Sequence, residues 1–141
     1  MSTCAGCEKV AQALAGLRDD VVAIFDHSVL LLGEHQAYPG YCVLWAREHA
    51  KELHDLPELA YTAYFHEARG VGAALEASLK PWKLNVASLG NVVGHAHLHF
   101  FPRQASEAHR LQHPWVLEAQ FTPPSAAQKS AALKQLKEIF A

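Results

Sequence analysis

The chain has 141 residues, of which 50% are hydrophobic and 18% are charged, a composition typical of one compact domain with a substantial core. The formal net charge of -2 at pH 7 gives no electrostatic reason to expect a nucleic-acid polymer or an anionic membrane as partner. Three cysteines are too few for a disulfide framework. No apolar run approaches the roughly 20 residues of a membrane-spanning helix. We therefore expect a cytoplasmic protein.

The first 19 residues contain a cysteine pair, Cys4 and Cys7, followed by apolar residues at near-helical spacing. This spacing predicts a short helix. A Cys-x-x-Cys pair supplies half of a zinc site, but two thiols without a metal explain the same pattern. The pattern alone leaves both interpretations open.

The next segments indicate strands. Residues 21–25 and 29–32 are short apolar runs separated by Asp26-His27-Ser28, which predicts a hairpin. Glycines and a proline in 33–40 predict a loop, and the apolar run 41–45 predicts the next strand. These segments point to an antiparallel sheet.

The longest helical pattern runs from Leu56 to Lys80, and Pro81 is expected to end it. Its broad apolar stripe predicts packing against the core and against a partner subunit. A strand over 82–87 and a turn over 88–90 then predict an antiparallel pair with the segment that follows. Near the C-terminus, Ser125 is placed to cap a last helix. The expected fold class is α+β: an antiparallel sheet packed with one long helix and short terminal helices.

Residues 91–103 are organised around three histidines, His95, His97 and His99, which alternate with apolar residues. This period of two predicts a strand with an apolar face and a row of imidazoles on the other face. Three interpretations fit the row: solvent-exposed histidines, a metal site, or nucleophilic chemistry on phosphorus. The spacing does not separate the second from the third.

The segment His95-Ala96-His97-Leu98-His99-Phe100-Phe101 resembles the signature of the histidine-triad (HIT) superfamily. The segments 83–93 and 38–45, and the run from Glu48 to Leu56, are also similar to family members, in particular to bacterial hydrolases of the diadenosine tetraphosphate type. The resemblance implies a single HIT domain over residues 1–141. Within it, a helix with the cysteine pair occupies 1–19, the HIT core covers about 20–115, and a helical tail covers 116–141.

The resemblance implies a nucleotide hydrolase or transferase that cleaves at the α-phosphate of dinucleoside polyphosphates or nucleoside phosphoramidates. His97 corresponds to the nucleophile that forms a nucleotidyl-histidine intermediate, and His99 to a neighbouring donor. His95 fixes the strand end or assists the leaving group. The nucleotide contacts that the resemblance implies are Asn85, Asn91, Glu34 and His49. The alternative is a non-catalytic nucleotide- or metal-binding member of the family.

The resemblance also implies a homodimer, a catalytic cycle that requires no metal, and a structural zinc ion. The zinc ligands would be Cys4, Cys7, His49 and His95. The chain departs from the usual pattern before the triad, because many relatives place a serine or threonine hydroxyl where Asn91-Val92-Val93 stands. That hydroxyl is therefore missing here, and Asn91 is the residue left to contact phosphate.

Overall fold

A five-stranded antiparallel sheet forms the centre of the molecule. The computed structural model describes residues 4–116 and 121–141. The strands follow the order β1-β2-β3-β5-β4 across the sheet, and each neighbouring pair is antiparallel. Their bounds are β1 Val21–Ile24, β2 Ser28–Leu32, β3 Cys42–Ala46, β4 Lys83–Ala87 and β5 His97–Arg103.

In the described part of the chain, three α-helices accompany this sheet: α1 Ala5–Leu14, α2 Glu58–Leu79 and α3 Ala126–Ile139. A short 3₁₀ turn at Leu53–Asp55 precedes α2. The arrangement confirms the predicted α+β class. Within the described residues, no helix combines the length and the apolar character that crossing a membrane requires.

The two faces of the sheet are covered differently. Helices α2 and α3 pack on one face, where Leu98 and Phe100 meet the core. On the other face, Val10 of α1 packs with a second apolar cluster that includes Trp45 and Phe101. Every residue of β2 and β3 is buried because these strands lie between the two clusters. Alternate residues of β5 therefore face opposite cores, and the odd-numbered ones lie on the α1 side.

Strand β5 begins at His97, so His95 lies just before the strand. The backbone N–H of His95 bonds the carbonyl of Val93, and the Ala96 N–H bonds the carbonyl of Ala50. Because of these bonds, the backbone at His95 leaves the hydrogen-bonding pattern of the sheet. The prediction of one strand through all three histidines is therefore wrong at its first position.

The helix predictions are confirmed, with shorter bounds. Helix α1 occupies only part of the predicted 1–19 segment, and α2 ends where Lys80 adopts a left-handed φ of 48° directly before Pro81. Ser125 caps α3, because its side chain accepts from the Gln128 N–H and the Gln128 side chain accepts from the Ser125 N–H. Residues 1–3 of the predicted helix and 117–120 of the predicted tail lie outside the described part of the chain.

Candidate functional site

His97 and His99 lie on the α1 face of β5, next to the aromatic side chains of β3. Trp45 pairs with His97 in the ladder, and their rings stack with centroids 4.3 Å apart. The rings of His97 and His99 are 4.9 Å apart. The alternation predicted from the sequence therefore brings these two histidines together.

The imidazole of His97 has one ring nitrogen engaged by the backbone. Its Nδ1–H donates to the carbonyl oxygen of His95 at 2.6 Å. This bond selects the tautomer in which Nε2 carries a lone pair. Burial lowers the pKa of His97 below its usual value, against the effect of the His95 carbonyl, which raises it. The neutral ring with a bare Nε2 is the form that can act as a nucleophile.

His99 has a hydroxyl partner and an aromatic cover. The Tyr41 hydroxyl lies 2.8 Å from its Nδ1, and the Trp115 ring meets it edge to face at 5.1 Å. Burial, assisted by the nearby His97, lowers the pKa of His99 to about 4. His99 is therefore neutral at physiological pH, with one N–H that it can donate.

A cavity of about 690 Å³ opens in front of His97 and His99. A drug-sized or nucleotide-sized ligand fits a volume of this order. Glu34 and Asn91, two of the predicted nucleotide contacts, line this cavity. Its apolar wall is formed by residues from β2, β3 and the segment before β5, namely Leu31, Val43, Leu89, Val92 and Val93.

Asn85 has a different place in the structure. It lies on β4, where its side-chain oxygen accepts from Arg103 Nη1 at 2.9 Å, and it is not among the residues that line the cavity. Arg103 is fully buried and also donates to the carbonyls of His109 and Gln112. The contact with Asn85 thus belongs to a network that fixes the loop after β5.

The four predicted zinc ligands meet at one point between α1 and the segment before β5. Their ligand atoms all lie within 4.8 Å of one another. His49 Nδ1 lies 3.3 Å from Cys7 Sγ and 3.3 Å from His95 Nδ1, and Cys4 Sγ lies 3.4 Å from His95 Nδ1. Zn–S bonds of about 2.3 Å and Zn–N bonds of about 2.1 Å at tetrahedral angles imply ligand separations of roughly 3.4–3.8 Å. The donor set therefore fits a tetrahedral metal ion.

The tautomer of His95 also suits a metal. Its Nε2–H donates to the carbonyl oxygen of Ala46 at 2.7 Å, and its side chain is buried. This bond leaves the lone pair on Nδ1, which faces the two cysteines and His49. A ligating histidine whose other nitrogen is held by a carbonyl is the usual arrangement at zinc.

Sequence reasoning missed three side chains around the histidines: Tyr41, Trp45 and Lys9. Tyr41 and Trp45 lie four residues apart in sequence and on the same face of the sheet as His97 and His99. The period of two in the run 41–45 indicates that Tyr41 and Trp45 share a face. That this face adjoins the histidines follows only once β3 is known to pair with β5. Lys9 reaches the cavity from α1, and nothing in the local pattern marks it.

The comparisons with known proteins agree with the histidine motif. The HIT domain family model matches residues 16–106, and the chain therefore belongs to the HIT domain family. Its structure resembles a histidine triad protein from Bradyrhizobium japonicum at 26% identity and a TM-score of 0.76, with 90% of this chain and 96% of the other covered.

Two further structures share the fold. A histidine triad protein from Marinobacter aquaeolei VT8 is 21% identical with a TM-score of 0.76, and the alignment covers 94% of this chain and 92% of the other. A zinc-bound histidine triad family protein from Mycobacterium smegmatis is 17% identical with a TM-score of 0.69, and the alignment covers 97% and 92%. A search of curated proteins found no match.

Proposed function

We propose that this protein is a nucleotide hydrolase or transferase that forms a nucleotidyl intermediate on His97. The observation that carries the proposal is the hydrogen bond from His97 Nδ1–H to the His95 carbonyl, beside a cavity of nucleotide size. That bond orients the ring and leaves Nε2 bare. Membership of the HIT family supports this reaction class.

In the proposed reaction, Nε2 of His97 attacks the α-phosphorus of a dinucleoside polyphosphate or a nucleoside phosphoramidate. The bond from phosphorus to the leaving oxygen or nitrogen breaks, and the leaving group takes that electron pair and then a proton. Water next attacks the same phosphorus, the P–N bond to His97 breaks, and a nucleoside monophosphate is released. Negative charge spreads over the phosphoryl oxygens in both transition states, so donors placed there contribute most.

We assign proposed roles to the surrounding residues from their positions in the site. The Tyr41 hydroxyl donates a hydrogen bond to Nδ1 of His99, so the ring proton of His99 lies on Nε2. This Nε2–H then serves as the donor to phosphate. His95 positions His97 through its carbonyl. Glu34 accepts from the ribose hydroxyls and Asn91 contacts phosphate, since both line the cavity. We assign Asn85 and His49, which have other partners, to structural roles.

The test is incubation with a panel of dinucleoside polyphosphates and phosphoramidates, followed by acid quench and mass spectrometry of the protein. We expect a nucleotidyl adduct on His97. His97→Asn should lose turnover by several orders of magnitude and retain nucleotide binding, because no other group replaces the nucleophile. The exposed His54, remote from the cavity, supplies the control His54→Ala.

Unchanged turnover in His97→Asn would overturn this proposal. Binding of nucleotide by the wild-type protein without turnover of any substrate in the panel would instead favour the non-catalytic alternative.

We propose further that the Cys4, Cys7, His49 and His95 set holds a structural zinc ion. The fit of the donor atoms to tetrahedral geometry supports this assignment. A bound zinc would supply a cross-link between α1 and the segment that begins the triad, while the catalytic steps above use only side chains and water. Reduced cysteines are needed for this role, which is consistent with a cytoplasmic location.

Elemental analysis of protein purified without added metal tests the zinc assignment. We expect about one equivalent, because a closed structural site retains its ion, and a content below about a tenth of an equivalent would contradict it. Cys7→Ser should lose the metal. Cys42→Ala is the matched control, since Cys42 is buried in the sheet away from the cluster.

The proposed functional unit is a single HIT domain that forms a homodimer. The open edge of β4 supports the dimer, because this strand has one neighbour in the sheet and carries the half-exposed side chain of Val86.

A further inference from the structure

Three cations line the cavity, and two of them have carboxylate partners. Arg18 Nη2 lies 2.7 Å from Asp20, and Lys129 Nζ lies 2.8 Å from Asp19. Lys9 is the third. Across residues 4–116 and 121–141, no carboxylate forms an ion pair with Lys9. Its charge is therefore available to an anion that enters the cavity.

Lys9 is held over the aromatic wall beside His97. It is half-buried in the middle of α1, and its Nζ lies 5.8 Å from the centroid of the Trp45 ring. The same ring stacks on His97 at 4.3 Å. A cation–π contact of this length is a weak attraction that a flexible lysine readily exchanges for a phosphate oxygen.

The segment before β5 adds no positive charge to the site. It lines the cavity with the apolar Val92, which is 97% exposed. Among the described residues that line the cavity, Lys9 is therefore the cation without a carboxylate partner, and a phosphate chain at His97 could meet its charge.

We propose that Lys9 binds the phosphate group of the nucleotide that His97 attacks. The inference rests on the proposed function and specifies the phosphate side of the same site. An ammonium group on a helix that is packed over the cavity neutralises charge on the nonbridging oxygens of this phosphate. Lys9 is then a residue of the substrate site rather than a surface lysine.

Calorimetric titration with a nucleoside monophosphate and with its nucleoside tests the inference without requiring turnover. The probes are AMP and GMP, each compared with adenosine or guanosine. Lys9→Gln should weaken binding of the monophosphate by about 10- to 100-fold, the range expected for loss of one charged hydrogen bond. Nucleoside affinity should stay within about twofold. Lys9→Arg should restore most of the monophosphate affinity.

Two further variants separate this role from a structural one. Lys9→Met keeps the alkyl stem against Trp45 and removes the charge, so it should reproduce the loss in Lys9→Gln if the charge is what matters. Lys134→Gln removes an exposed lysine of α3 that does not line the cavity, and its affinities should equal those of the wild type.

Monophosphate affinity that is unchanged in Lys9→Gln and Lys9→Met would overturn the inference and leave the proposed function standing. An equal loss of monophosphate and nucleoside affinity would also overturn it, because it would show that Lys9 only supports the packing of α1. A wild-type protein that binds neither nucleoside nor monophosphate would refute the proposed function and the role of Lys9 together.

Discussion

His97 and His99 are two residues apart on one strand, yet their hydrogen-bond partners differ. His97 donates from Nδ1 to a backbone carbonyl, whereas His99 has a tyrosine hydroxyl at Nδ1. A carbonyl can only accept, while a hydroxyl can also donate its proton. The carbonyl partner therefore leaves a lone pair on Nε2 of His97, whereas the hydroxyl partner allows Nε2 of His99 to carry a proton. In the function proposed above, these contacts suit His97 to the task of nucleophile and His99 to that of donor.

The pKa of His99 predicts a dependence of stability on pH. The ring titrates at about 4 in the folded protein and near 6.5 in the unfolded chain. The unfolded state then binds more protons between these values, so this group destabilises the fold increasingly as pH falls from 6.5 towards 4. Above pH 6.5 neither state is protonated, and the effect is absent. We expect the thermal midpoint to fall over this window.

The control for this prediction is His99→Gln, which keeps a polar side chain without the titration. Its thermal midpoint should fall less than that of the wild type between pH 7 and pH 5, as measured by circular dichroism. Parallel pH profiles of the two proteins would contradict the assignment to His99.

The placement of His97 and His99 on one face could be predicted from the sequence because it depends on one strand. A period of two is enough to place His97 and His99 on one face. Tyr41 and Lys9 could not be read in the same way, because their positions depend on which strand neighbours β5 and on how α1 packs. Contacts between elements that are distant in sequence leave no local sequence pattern from which they could be predicted.

At the scale of elements, helix α1 approaches the segment before β5 very closely at Gly6. A Cβ at this position would overlap the Cβ and Cγ of His95. This approach brings Cys4 and Cys7 to His49 and His95, so the absence of a side chain at Gly6 is needed for these four donors to meet. Glycine elsewhere in a helix has no such requirement.

Gly6→Ala and Gly70→Ala should therefore have opposite effects on stability. Gly6→Ala should destabilise the fold by about 1–3 kcal/mol, as expected for overpacking in a filled site. Gly70 lies in α2 with open space around its missing Cβ. Gly70→Ala should stabilise the fold by about 0.5–1 kcal/mol, because alanine loses less conformational entropy in a helix.

Urea unfolding followed by circular dichroism measures both changes. A neutral or stabilising effect of Gly6→Ala would show that α1 does not pack on His95 as described here. Gly6→Ala should also lower the metal content of the purified protein, whereas Gly70→Ala should leave it unchanged.

Element boundaries were predictable where a residue type fixes the backbone. Pro81 cannot continue α2, and Ser125 with Gln128 forms the capping box that starts α3. The start of β5 was not predictable, because the alternation of histidine and apolar residues continues through the turn at His95. A sequence pattern records which side chains are buried and cannot tell a strand from an extended turn beside it.

At the scale of the whole molecule, the two edges of the sheet differ. Helix α3 packs beside β1, and Phe140, directly after the helix, meets Phe25, directly after the strand, edge to face with ring centroids 6.2 Å apart. Strand β4 forms the other edge, and the half-exposed Trp82 lies directly before it. An open edge with apolar side chains is suited to pairing with a second copy of the chain.

We expect a homodimer through the β4 edge. Analytical ultracentrifugation at micromolar concentration should give about twice the monomer mass of 15.5 kDa. Val86→Lys should shift the protein towards the monomer by placing a charge in the interface. Ile24→Lys is the matched control, because Ile24 has the same 49% exposure at the opposite edge of the sheet. A wild-type monomer would contradict the expectation.

The fold class followed from local patterns because most neighbouring strands in the chain order are also neighbours in space. The exception is the insertion of β5 between β3 and β4. This crossover creates the cavity, since it sets the histidines against β3 and leaves β4 at the edge. No residue in the sequence encodes that order by itself; it follows from the apolar area that the sheet and α2 bury together.

The aromatic wall of the cavity gives the protein an intrinsic optical probe. Two of its three tryptophans, Trp45 and Trp115, line the cavity, whereas Trp82 does not. A ligand that enters the cavity would change the surroundings of both indoles, and such a change alters indole emission. In Trp82→Phe all the remaining indole fluorescence would come from the cavity. Ligand occupancy could then be followed in real time, without labelling the substrate or the chain.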